Sequence, residues 1–167
     1  MEKMIVALSE KIPCESREYV EAEKRARSLV VSGLEEAPAH LKPSERQKQL
    51  EGKVADLFDA LQVECRPVEV YRMGKPDSAR PRLVKIVLPS RAYWRTALKN
   101  AKNLRASGFH NVFVRKSLTA EERKREFDLR QLANERNKGK PYREWVIYKG
   151  ELKHISDLPQ SQTQGNA

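Results

Sequence analysis

Short β-branched runs alternating with helix-period stretches constrain this chain more than any other feature. SLVVSGL, residues 28–34, is an apolar run closed by Gly33 and predicts a buried strand. After the loop EEAPAHLKP, Ser44 and Gln47 predict a capping box, and Leu50, Val54, Leu57, Phe58 and Leu61 mark one face of a helix. Val68 to Met73 predicts a second strand, and the stretch GKPDSAR beyond it a basic, turn-rich loop. RLVKIVL, residues 82–88, predicts a third strand. Pro89 and Ser90 then open a helix whose apolar face carries Trp94, Ala97, Leu98, Ala101 and Leu104, with Gly108 as its stop. NVFVRKSL, residues 111–118, has the β-branched and aromatic content of a fourth strand.

The order strand, helix, strand, strand, helix, strand predicts an α+β chain: a four-stranded antiparallel sheet with both helices on one face and the other face open. RNA-recognition folds and small ferredoxin-like enzymes share this βαββαβ sandwich, so architecture alone does not select a function. Residues 1–27 predict an N-terminal helical extension, with Met1, Met4, Ile5, Leu8 and Ile12 at helical spacing until Pro13. Met4, Ile5 and Leu8 are candidates for docking a protein partner or a second copy. Residues 119–155 predict a C-terminal helix and β-hairpin, from a capping box at Thr119 and Glu122, a stop at Gly139-Lys140-Pro141, and two strands separated by Lys149-Gly150. Residues 156–167 lack apolar material and predict a disordered tail.

Charge narrows the function. The 167 residues hold 33 Lys+Arg against 23 Asp+Glu, a net of +10, but residues 66–149 alone hold 22 basic and 8 acidic side chains. An excess of that size in one region attracts a polyanion, which makes nucleic acid the leading partner. No run approaches the roughly 18 apolar residues of a membrane span, and the opening residues are too charged for a secretory signal. A soluble intracellular protein without a membrane partner is the expectation. Cys14 and Cys65 have no thiol or histidine at ligand spacing, which excludes a zinc knuckle and leaves each as a small apolar side chain.

The candidate contacts form three groups. Arg72, Lys75, Arg80 and Arg82 line the loop between the second and third strands, where arginine can grip a phosphate with two hydrogen bonds. Arg91, Arg95, Lys99 and Lys102 fall at steps of four, four and three on the second helix of the sandwich, a stripe that a purely solvated face would also explain. Arg115, Lys116, Arg123, Lys124 and Arg125 gather where the fourth strand enters the last helix. On the open sheet face, Val30, Leu83 and Lys85 are the residues expected outward, so stacking rings are missing from the central strands; Tyr71 can supply one ring. Catalysis finds little support. His40, His110 and His154 are isolated, Glu121, Glu122, Glu126 and Asp128 sit among arginines, and there is no Gly-rich phosphate loop. The expectation is a non-enzymatic protein without cofactor or metal.

Three strings carry a family likeness: RARSLVVSGLEE, VYRMGKPDSARPRLVKIVL and VFVRKSLTAEERKREFDLR. In order and spacing they resemble the RNA-binding region of the first open-reading-frame proteins of LINE-type non-LTR retrotransposons, over about residues 24–150. The resemblance implies an RRM-like domain between a helical oligomerising segment and a small C-terminal domain, binding single-stranded RNA. It implicates Arg72, Lys75, Arg80, Arg82, Arg115 and Arg123 as backbone contacts. A protein-interaction module within a ribonucleoprotein, docking through the N-terminal helix or the open sheet, is the alternative.

Overall fold

The computed structural model describes residues 16–159 and divides the chain into two compact units meeting between Ser117 and Leu118. The candidate partner-binding residues Met4, Ile5 and Leu8, together with Cys14, lie outside the described residues.

The first unit opens with helix α1, residues 16–26, and runs on through β1 (Ser28–Ser32), α2 (Pro43–Leu61), β2 (Glu69–Arg72), β3 (Val84–Val87), α3 (Arg91–Asn100) and β4 (Phe113–Lys116). A 3-10 turn, Ala101–Arg105, prolongs α3. The sheet is antiparallel throughout, in the order β2-β3-β1-β4, so the protein is α+β. Strand alternation sorts the side chains. Leu29, Val31, Val84 and Ile86 point to one face and pack with Leu50, Val54, Leu57, Phe58 and Leu61 of α2 and Ala97 of α3. Both helices therefore cover the same face, and the core lies between.

Two local devices differ in how well the sequence announced them. Gly33 closes β1 with φ of +88°, and a Cβ there would stand 1.9 Å from the Asn111 carbonyl oxygen. Only glycine lets the β1 exit pass so close to the segment entering β4. The capping box expected at Ser44 and Gln47 is not formed. Pro43 takes the first helical position, which its fixed φ suits, and Glu45 accepts a hydrogen bond from the Lys42 amide at 2.9 Å. Gln47 instead donates to the Val70 carbonyl at 3.0 Å, occupying an acceptor on the outer strand β2.

The sheet face away from the helices departs from expectation at its centre. Val30 is only 4% exposed and Val87 is fully buried. Val30 pairs with Lys85 on one side and Arg115 on the other, long side chains whose aliphatic stems can shield a valine. Val87 lies between Ser28 and Glu69, and Lys24 of α1 reaches Glu69 at 2.8 Å across that end of the sheet.

The second unit holds α4 (Ala120–Asn137) and the hairpin β5 (Trp145–Tyr148) and β6 (Glu151–His154). Thr119 and Glu122 form the expected capping box: Thr119 Oγ1 accepts from the Glu122 amide at 3.1 Å, and Glu122 accepts from the Thr119 amide at 2.7 Å. Lys149 and Gly150 both adopt positive φ, the geometry of a tight two-residue hairpin turn. Asn137 ties helix to hairpin, accepting from the Glu144 and Trp145 amides at 2.9 Å and donating to the Trp145 carbonyl at 2.7 Å. The Arg136 guanidinium lies 4.2 Å from the centre of the Trp145 ring. Ser156 and Asp157, expected in the tail, belong to a 3-10 turn over Ile155–Asp157 that the His154 ring caps by accepting from the Ser156 amide. Among the described residues no helix is long and apolar enough to cross a membrane.

Candidate functional site

The loop cations separate into two kinds. Arg82 donates from its guanidinium to both oxygens of Glu36, each at 2.9 Å, and its amide donates to the same carboxylate. Arg72 stands 3.3 Å from Glu36 and also donates to the carbonyls of Leu34, Glu35 and Arg82. Its side chain is only 9% exposed. These contacts fasten the loop after β1 to the β2 and β3 strands. The Arg82 hydrogen bonds hold the Glu36 carboxyl down at about 2, and the Glu36 hydrogen bond raises Arg82. Burial pushes the Arg72 guanidinium below its ordinary value despite the neighbouring carboxylate. Arg72 and Arg82 thus serve contacts within the fold: Arg72 is nearly buried among acceptors, and a phosphate at the Arg82 Nε–Nη2 edge would have to displace Glu36. Lys75 and Arg80 remain in the exposed loop; Arg80 has a loose pair with Asp77 at 3.9 Å and is 85% exposed.

Register places Tyr71, Lys85, Val30 and Arg115 in one row across the sheet, on the face away from the helices. Tyr71 on the outer strand β2 is 38% exposed. Phe113, two residues before Arg115 on the other outer strand, shares that face and is 57% exposed. This face thus presents an aromatic ring at each edge, with Lys85 between them and Arg115 beside Phe113 on β4. Phe113 was missed because the stacking residues were sought on the central strands. Its signal was present in NVFVRKSL, where Val112 and Val114 face the core and Phe113 and Arg115 must then face away.

Arg115 and Lys116 do not form one patch. Lys116 shares the parity of Val114 and so points to the opposite side of the sheet from Arg115. Arg123, Lys124 and Arg125 are exposed but belong to the other compact unit. On α3, Arg95 and Lys99 are exposed, and Lys102 and Arg105 of the 3-10 turn extend the positive surface. Arg91 is held 2.6 Å from Glu23 of α1 and contributes less free charge. Trp94, Leu98 and Ala101 pack against the core, as the apolar face of the helix requires.

The remaining chemistry-bearing groups are structural in their contacts. Cys65 is half-buried against the core, and burial pushes its thiol up. His154 lies edge-on to Trp145 at 5.3 Å, with its Nε2 3.6 Å from Glu144. The Lys140 ammonium, as hydrogen-bond donor, and then His154 hold the Glu144 carboxyl low. Among the described residues no three His, Cys, Asp or Glu side chains gather as metal ligands. No protein-family model matches the chain, and no curated protein does.

Proposed function

We propose that this is a non-enzymatic RNA-binding protein that holds single-stranded RNA mainly by its sugar-phosphate backbone, with weak sequence preference. The carrying observation is the sheet face on which Tyr71 and Phe113 stand exposed at the outer strands, with Lys85 on a strand between them and Arg115 beside Phe113 on β4. Rings accept any base as a stacking partner, and ammonium and guanidinium groups neutralise phosphates without reading sequence. Lys75, Arg80, Arg95, Lys99 and Lys102 extend the basic surface around the same unit. The β2-β3-β1-β4 order, with both helices on one face, supports reading the first unit as an RRM-like βαββαβ sandwich. That reading agrees with the likeness to LINE-type first open-reading-frame proteins.

The test is anisotropy of a labelled oligouridine with the full chain. Replacing Tyr71, Lys85 and Phe113 together with alanine is expected to weaken binding by about a hundredfold, the sum of two stacking losses and a phosphate contact. Unchanged affinity places the interface elsewhere or removes it.

A protein-docking role has its own observation in favour. A groove of about 620 Å³ between the end of α2 and the approach to β2 has an apolar floor of Phe58, Val63 and Val70, and Val68 stands exposed beside it. Glu51, Asp59, Glu64 and Glu69 line the same groove. Arg66 also lines it and Glu69 is paired with Lys24, so on a chain of net +10 this groove carries a local excess of carboxylates that suits a basic, apolar protein segment better than RNA.

A further inference from the structure

Helix α4 carries a face that its charge count conceals. At about 100° per residue, the positions within about 60° of Phe127 are Ala120, Arg123, Lys124, Arg130, Gln131 and Asn134. All of them are exposed, and Phe127 itself is 56% exposed. The carboxylates of the helix, Glu121, Glu122, Glu126, Asp128 and Glu135, all fall outside this sector. The hairpin occupies another side, through Arg136 on Trp145 and the Asn137 hydrogen bonds to β5. Arg125 also falls away from the face, which separates it from Arg123 and Lys124.

A solvated helix face ordinarily mixes both signs of charge. Here a bare ring is framed by two arginines, a lysine and two side-chain amides, and the Glu126 carboxylate reaches the edge of the frame only as the partner of Arg130. Arg130 keeps a pair with Glu126 at 2.9 Å but remains 65% exposed. We infer that this face of α4 is a second single-stranded RNA contact, on which an unpaired base stacks against Phe127 while Arg123, Lys124 and Arg130 hold the flanking phosphates. The inference rests on the RNA-binding function proposed above. It adds a stacking ring on the second unit to those of the sheet face, and with it a further preference for single strands, because a base enclosed in a duplex cannot lie flat on a protruding ring.

The experiment compares the full chain with Phe127→Ala and Phe127→Tyr, using a labelled oligouridine and a labelled RNA duplex of equal length. Because the ring is exposed, its removal leaves the contacts of α4 with the hairpin intact, and circular dichroism checks this. Phe127→Ala is expected to weaken oligouridine binding about tenfold, with Phe127→Tyr close to the unaltered chain and duplex affinity unchanged. If Phe127→Ala leaves oligouridine affinity unchanged, or weakens the duplex equally, stacking at Phe127 is refuted while the proposed function stands. If the unaltered chain fails to bind oligouridine at low salt, both fall together.

Discussion

Replacing Glu36 by glutamine tests whether the Arg72 and Arg82 side chains serve the fold rather than a ligand. Glutamine keeps the shape and one acceptor oxygen but removes the charge that faces two guanidiniums. The Glu36 carboxyl is lowered from 4.5 to about 2, first by the Arg82 hydrogen bond. Taken in full, a shift of that size corresponds to roughly 3 kcal/mol of stability at neutral pH. The Glu36 side chain is 31% exposed, so solvent screens the pair, and a loss of about 1–2 kcal/mol is the working figure. The sign follows from the lowered value. The stabilisation is complete above the ordinary carboxylate range and fades as pH falls toward about 2, where the native carboxylate is itself protonated. Urea unfolding followed through Trp94, in a Trp145→Phe background so that only the first unit reports, measures the difference between the two proteins. It should be constant above about pH 5 and shrink toward zero near pH 2. Equal stability at pH 7, or a difference that persists undiminished at pH 2, refutes the argument that this carboxylate clamps the two arginines.

Two further changes probe the scaffold. Gly33→Ala places a Cβ against the Asn111 carbonyl oxygen at a positive φ, and a loss of more than about 3 kcal/mol by thermal or urea unfolding is expected; a loss below about 1 kcal/mol shows that the β1 exit can shift. Asn137→Ala removes two hydrogen bonds between α4 and β5 and a third to Glu144 just before the strand, and faster amide exchange in the hairpin with unchanged exchange in the four-stranded sheet is expected.

Much of the scaffold was legible because it rests on local periodicity. The apolar positions of α2 and α3, the Thr119 cap and the Lys149-Gly150 turn follow from residues within a few positions of one another. The strands are shorter than their apolar runs, since Leu83 and Leu88 continue the pattern past the last ladder pairs of β3. What escaped the sequence was tertiary. Glu36 meets Arg72 and Arg82 only after the chain returns through α2, so counting charges along the loop treated both arginines as free. The Ser44–Gln47 cap lost to Pro43, whose ring fixes the helix start two residues earlier, with Lys42 as the N-cap. Phe113 and Phe127 were readable in principle, by period two and by period 3.6, but each sits among charges that drew attention first.

The salt dependence of single-stranded RNA affinity tests the central claim most directly. With Arg72 and Arg82 withdrawn from the interface, about four to six exposed cations meeting phosphates give a log–log slope of affinity against salt of roughly −3 to −4. A slope near zero, with binding retained, contradicts a backbone held by charge.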